Sequence, residues 1–213
     1  MFARVSTYEG GDPANKATTL KFLQDYLVTA ARAMSGWKGM YFLADPAASK
    51  TLSITLWDSE ESLRASEEAA NKLRAEGTRQ AGSQTVQVER FEVVMADAEA
   101  PSETTESGAF ARVSRYQIPV EKVEAAISQA SPTAPQVRGI PGNTGGYLLI
   151  DRKTGAALSV TLWESEHALE ASVEQANQIR ARTTERVNGT ISSVESFVVA
   201  ATAGEHAPAL RKA

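Results

Sequence analysis

The chain contains no cysteine. That absence removes disulfides, thiolate metal sites and cysteine nucleophiles from consideration. Histidine is nearly missing too: His167 and His206 are the two among 213 residues. No histidine pair or carboxylate cluster stands at metal-ligand spacing, and no Ser-His-Asp set can be assembled twice. Positive charge is not in surplus. A formal net charge of -4 and a pI near 5.4 leave nothing to neutralise a run of phosphates, so nucleic acid is not an expected partner. No apolar run approaches the roughly 20 residues of a membrane span. The start, Met1-Phe2-Ala3-Arg4, has no signal-peptide pattern. A soluble, cytoplasmic protein without a membrane partner is expected.

What the chain does contain, it contains twice. Phe2-Ala3-Arg4-Val5-Ser6-Thr7-Tyr8 returns as Phe110-Ala111-Arg112-Val113-Ser114-Arg115-Tyr116. Leu52-Ser53-Ile54-Thr55-Leu56-Trp57-Asp58-Ser59-Glu60 returns as Leu158-Ser159-Val160-Thr161-Leu162-Trp163-Glu164-Ser165-Glu166. From Met34 to Met95 the second copy follows 106 residues downstream without a gap, and about two positions in five are identical. A repeat of about 100 residues is the size of a whole domain rather than a solenoid unit. The reading is a duplicated domain: unit 1 over 1–95, a linker over 96–108, unit 2 over 109–200 and a flexible tail over 201–213. The linker and tail are small, polar and without apolar periodicity.

Within each unit the periodicity switches in a fixed order. Phe2 to Tyr8 alternates with period two, as a strand does. Leu20, Leu23, Leu27, Ala31 and Met34 recur at three and four, giving an amphipathic helix. In unit 2 the pattern returns in Val120, Val123, Ile127 and Ala130, but Pro132 and Pro135 should break or kink that helix. Gly36-x-x-Gly39 and Gly142-x-x-Gly145 end the helices, and two short strands follow in each unit. Ser59 and Ser165 then read as N-caps with acidic residues in the first turn. A second helix and a final strand complete the pattern βαββαβ, twice.

This is an α+β class: two ferredoxin-like βαββαβ units. On the third strand Leu52, Ile54 and Leu56 face one way and Ser53, Thr55 and Trp57 the other. The sheet face without helices is apolar and must be covered. The second copy is the natural cover, sheet against sheet, as an intrachain pseudo-dimer. Further self-association stays open.

At Leu-Trp-Asp/Glu-Ser-Glu, preceded by Gly-x-x-Gly-x-Tyr and an Asp hairpin, both units resemble the antibiotic biosynthesis monooxygenase family of the dimeric α/β-barrel superfamily. The resemblance implies an intrachain dimeric α/β barrel, because family members usually pair two identical chains. It also implies a pocket in each unit between the sheet and its helices. Some members are cofactor-free monooxygenases that oxidise polycyclic phenols and carry Asn-x-x-x-Trp on the third strand. Trp57 and Trp163 match the Trp; Ser53 and Ser159 occupy the Asn position. A haem-degrading branch uses an iron-ligating His on the second helix. Here His167 falls at the start of that helix in unit 2, where unit 1 has Glu61, and Ser66 and Ser172 stand where a later Trp would be. No cofactor and no metal are therefore expected.

The candidate site residues follow. Trp57 and Trp163 would stack on an aromatic substrate, and Ser53 and Ser159 would hydrogen-bond it. Arg4 and Arg112, or Tyr41 and Tyr147, would hold an anionic oxygen. Each has a structural alternative. The tryptophans could be packing anchors whose ring N–H finds a carbonyl. The tyrosines fit ordinary strand composition, and Arg4 and Arg112 could pair with Glu89 and Glu195 on the neighbouring last strand. Arg74, Arg180, Asn71 and Asn177 read as a solvated or interface face of the second helix. The implied function is a cofactor-independent oxygenase of a small aromatic or polyketide-type molecule. The alternative is a non-catalytic ligand-binding or interaction protein on the same scaffold. Gly145-Gly146 and the two prolines make unit 2 the looser candidate for an open pocket.

Overall fold

The computed structural model describes residues 1–101, 104–105 and 108–204. The remainder of the expected linker and tail, His206 included, lies outside them. The described residues form two compact units. Each is built as the alternating patterns require.

Unit 1 begins with β1 (Phe2–Gly10) and then a helix in two pieces, α1 (Lys16–Phe22) and α2 (Val28–Arg32), joined by a π-helical turn over Leu23–Leu27. The π-turn shifts the register of the single helix expected from the apolar stripe; Leu23, its first residue, and Val28 and Ala31 beyond it are buried. The antiparallel strands β2 (Trp37–Asp45) and β3 (Lys50–Trp57) follow. Next come α3 (Glu60–Ala65) and α4 (Glu67–Ala81), then β4 (Ser83–Ala96). The Ser59 hydroxyl accepts from the Ser62 amide at 3.1 Å, which caps α3 as the sequence indicates. The described part of the linker includes a two-residue strand, β5 (Thr104–Thr105).

Unit 2 repeats the order: β6 (Phe110–Gln117), α5 (Val123–Arg138), β7 (Asn143–Ile150), β8 (Ala156–Trp163), α6 (Glu166–Ala171), α7 (Val173–Glu185) and β9 (Thr190–Gly204). Two findings depart from expectation. First, α5 runs unbroken through Pro132 and Pro135. Neither ring terminates it: the Gly139 amide still reaches the Pro135 carbonyl at 2.9 Å, and the Gln136 side chain donates to the Pro132 carbonyl at 3.1 Å. Second, the last strands overrun the expected boundaries. The strand β9 continues to Gly204, with Ala201 and Ala203 buried where a tail was expected.

Strand order in unit 1 is β4–β1–β3–β2, and in unit 2 it is β9–β6–β8–β7. The overruns have a function in this order. Residues 91–99 belong to unit 2, where Glu92 to Ala96 pair with Ile150 to Tyr147 at the β7 edge. Residues 200–204 belong to unit 1, where the end of β9 pairs with β2. Each unit thus completes its sheet with chain from the other repeat, and an otherwise open edge gains a partner. The sheet face away from the helices is buried in both units: Val5, Leu43 and Leu52 in unit 1 and Val113, Leu149 and Leu158 in unit 2 are all 0% exposed. The helix-covered face carries the candidate polar residues.

Candidate functional site

Register decides which side chains can meet. Cα partners across antiparallel strands share a face. In unit 1, Arg4 pairs with Thr55 and Ser6 with Ser53; in unit 2, Arg112 pairs with Thr161 and Ser114 with Ser159. With Tyr8, Tyr116, Trp57 and Trp163 these residues line the face covered by the helices. Tyr41 pairs with Ile54, and Tyr147 with Val160, on the opposite face. Tyr147 borders the unit 2 cavity described below, and Tyr41 is absent from the lining of its unit 1 counterpart.

Both tryptophans are built as anchors. Trp57 is 1% exposed and Trp163 0%. Their ring N–H groups donate to Thr55 and Thr161 hydroxyls at 3.1 and 3.0 Å, so the partner is a hydroxyl two residues back rather than a carbonyl. The guanidinium carbon of Arg4 or Arg112 lies 5.4 Å from the centre of its tryptophan ring, a cation–π stack. Arg4 is 1% exposed and Arg112 3%. These arginines reach into the junction between the two pieces of the second helix. Arg4 donates to the Leu63 carbonyl and to Ser66; Arg112 donates to the Leu169 carbonyl and to Ser172. Ser66 and Ser172 are the hydroxyls that hold these buried cations.

The two units then diverge. Arg4 also contacts Glu67 at 3.1 Å, and the same carboxylate binds Arg74 at 3.0 Å and Arg90 at 2.8 Å. Arg4, expected opposite Glu89, thus takes its carboxylate from α4. Burial alone would raise the Glu67 carboxyl. The Arg90 hydrogen bond and the charges of Arg4 and Arg90 outweigh it and hold the group below the ordinary carboxylate range. In unit 2 the corresponding residue is Val173. Among the described residues, neither Arg112 nor Arg180, the counterpart of Arg74, has a carboxylate partner. Burial, assisted by the Arg180 charge, pulls the Arg112 guanidinium down to about 10. Burial also lowers Arg180, against the influence of Tyr116.

Space differs in the same direction. Unit 1 holds a cavity of about 60 Å³, crowded by Trp37 and Met40, which are 3% and 2% exposed. Unit 2 holds one of about 160 Å³ in the corresponding place. There Trp37 is replaced by Asn143 and Met40 by Gly146. The Asn143 side chain folds back onto the sheet, donating to the Leu162 carbonyl of β8 and accepting from the Gly145 amide of its own strand. At Gly146 the backbone approaches β8 so closely that a Cβ would lie 2.3 Å from the Val160 carbonyl oxygen, and no side chain fits.

The unit 2 cavity is mostly apolar, walled by α5 (Ala126, Ala130, Ala134, Val137), α7 (Ala176, Ile179) and the sheet. Its polar groups are few. Tyr116 and Ser159 share a hydrogen bond of 3.1 Å at the sheet wall, and Arg180 and Thr183 stand on α7. The Gln129 Oε1 atom is buried without a hydrogen-bond partner among the described residues. Asp97 borders the cavity as an exposed residue just past the end of β4, its backbone amide bonded to the Gly146 carbonyl. Of the sequence candidates, the cavity brings together Ser159 and Trp163 with Tyr147 at its border. Arg112 sits against Trp163 and is not in the lining. Ser53, Trp57 and Arg4 occupy the smaller cavity. Arg180, expected on a solvated face, lines the larger one.

His167 is exposed, and among the described residues no group of three or more His, Asp and Glu could hold a metal ion. Nor, among them, is any helix long and apolar enough to cross a membrane.

No protein-family model matches the chain. Two uncharacterized proteins of Mycobacterium tuberculosis strain H37Rv are similar to it. One is 26% identical over 173 residues, covering 81% of this chain and 75% of its own; the other is 21% identical over 203 residues, covering 94% and 84%. Among solved structures, a candidate monooxygenase of Fusobacterium nucleatum matches with a TM-score of 0.68 at 10% identity, over 100% of this chain and 98% of its own. A candidate monooxygenase of Lactobacillus acidophilus gives 0.63 at 9%, over 97% and 98%. An anthrone oxidase-like protein gives 0.64 at 16%, over 98% and 96%. These likenesses are to the fold, along the whole tandem: it is the monooxygenase-like, ferredoxin-type α+β fold that both repeats resemble.

Proposed function

We propose that the chain is a cofactor-independent, monooxygenase-type protein whose working pocket is the unit 2 cavity, and that it acts on a small, largely apolar aromatic or polyketide-type molecule. The observation that carries this reading is the cavity itself: apolar walls, opened where Trp37 and Met40 give way to Asn143 and Gly146, with the Tyr116–Ser159 hydroxyl pair on the sheet wall. The shared fold with monooxygenase-like proteins supports it. In the reaction, a ring CH₂ flanked by activating groups loses a proton, and the resulting anion reacts with O₂. One oxygen atom becomes the carbonyl and the other leaves as water. Tyr116 and Ser159 would hold the anionic oxygen in a dry site, and Trp163 would form the flat wall. The acidic, cysteine-free composition goes with a cytoplasmic setting.

The test uses 1,8-dihydroxyanthrone, with oxygen uptake and quinone absorbance followed together. The expected result is turnover above the protein-free rate, abolished by Ala134→Phe, which fills the cavity from α5. Ser159→Ala should lower it by on the order of 10²-fold, the usual effect of losing one donor to developing charge. Binding without oxygen uptake would reject the oxygenase reading. It would favour the second one, a non-catalytic ligand-binding protein. That reading draws on Ser159, which offers a hydroxyl where the oxygenases carry an amide.

A further inference from the structure

Charge, more than shape, separates the two cavities. In unit 1 the cation cluster is closed on itself: Arg4, Arg74 and Arg90 converge on Glu67. Arg74, with its side chain 10% exposed, faces the small cavity already neutralised. Unit 2 retains the two cations that correspond to Arg4 and Arg74 and lacks the carboxylate. Arg180 is half-buried and lines the larger cavity. Its hydrogen-bond partner among the described residues is a neutral one, the Asn177 side-chain oxygen, which occupies a single nitrogen of the guanidinium. The groups that influence it electrostatically are the Tyr116 hydroxyl and Arg112; among the described residues no carboxylate does so. A half-buried cation facing an apolar cavity is costly unless something arrives to pair with it.

We propose that the unit 2 cavity selects apolar organic anions, a ring-sized body carrying one anionic oxygen group that Arg180 binds beside the Tyr116–Ser159 hydroxyls. The inference rests on the reading of this cavity as the ligand site and adds the charge of the ligand to it. The ligand's anion takes the place that Glu67 fills in unit 1. Guanidinium suits the task because its planar fork can donate two parallel hydrogen bonds to one carboxylate, or one to a phenolate. On the α5 wall the unpartnered Gln129 Oε1 is an acceptor, so a ligand O–H remote from the anionic end is matched as well.

The test is calorimetric titration at pH 7.5 with 2-naphthoate, its neutral isostere 2-naphthamide, and 2-naphthol, which is uncharged at that pH. The wild-type protein should bind 2-naphthoate at least about tenfold more tightly than 2-naphthamide, as expected when a charge-assisted hydrogen bond replaces a neutral one. Arg180→Met should erase that preference while leaving 2-naphthamide affinity within about threefold, which also shows that the variant folds. Val173→Glu, which restores the unit 1 carboxylate to unit 2, should erase it too. Equal binding of amide and carboxylate by the wild type overturns the anion preference and leaves the cavity as a site for neutral ligands. A preference that survives Arg180→Met overturns the role of Arg180. Binding of none of the three overturns both the cavity as ligand site and the inference built on it.

Discussion

Replacing Glu67 by Gln removes one charge and almost no volume, so it isolates what the carboxylate does for unit 1. Three arginines converge on it, at 3.1, 3.0 and 2.8 Å, with side-chain exposures of 1% for Arg4, 10% for Arg74 and 46% for Arg90. Breaking a fully buried ion pair by removing one partner costs about 3–5 kcal/mol, because the other charge is stranded. Glu67 itself is 29% exposed, so water screens part of that loss. The Arg90 pair, being half in solvent, contributes about 0–1 kcal/mol. Taken together, Glu67→Gln should cost about 2–4 kcal/mol. At about 2–4 °C per kcal/mol for a chain of this size, Tm should fall by roughly 5–15 °C. The pH dependence follows from the depressed carboxyl. The stabilisation is complete above the unfolded value near 4.5 and is lost as pH falls through the lower folded value. Urea unfolding at pH 7 and in steps down to about pH 3 reads both effects: the gap between wild type and variant should be widest at pH 7 and narrow on acidification. A gap below about 0.5 kcal/mol at pH 7 would show that Arg4 does not depend on the carboxylate. The charge contrast between the units would then lose its meaning. A gap that does not change with pH would assign the loss to packing.

Trp37 fills the space that is open in unit 2, and its ring N–H is buried without a hydrogen-bond partner among the described residues. Trp37→Ala should therefore cost about 3–5 kcal/mol. Trp37→Phe should cost under about 1.5 kcal/mol, because it also removes an unsatisfied donor; urea midpoints of the two variants test the ordering. Gly145 has φ +120°, and a Cβ there would lie 2.0 Å from the Asp97 carbonyl oxygen. Gly145→Ala should push residues 97–98 off the β7 edge, read as faster exchange of the Asp97 amide, which donates to the Gly146 carbonyl; unchanged protection there would contradict the pairing.

The fold was legible because each unit states it by periodicity and the repeat states it again. Caps at Ser59 and Ser165, the alternation at Leu52 to Trp57 and the βαββαβ order all reappear in the structure. The strand exchange was not legible, because residues 91–96 and 200–204 read as an ordinary strand end and a small-residue tail. Ala201 and Ala203 are buried by their pairing, and nothing in their composition announces a partner. The helix through Pro132 and Pro135 shows tertiary packing overriding a local signal. At the site, attention to positions kept in both copies pointed to Ser159 and Trp163, which line the unit 2 cavity, and to Arg112, which lies against Trp163 outside that lining. It passed over Arg180, which looks like a solvated helix residue until the fold closes. The positions that distinguish the cavities are those where the copies disagree: Trp37 and Asn143, Met40 and Gly146, Glu67 and Val173. That signal is present in the sequence, though its chemistry becomes readable only once register and burial are known.

The covalent joining of the repeats has a consequence for how such a pocket can change. In an assembly of two identical chains, every substitution is made in both halves at once, so a residue that opens a cavity weakens two cores together. Here Asn143 and Gly146 alter one half, while Trp37 and Met40 keep the other filled. Likewise Val173 can leave a cation without its carboxylate on one side while Glu67 holds three on the other. Fusion ends the obligation to symmetry, and one repeat can serve as ballast while its sibling becomes specialised.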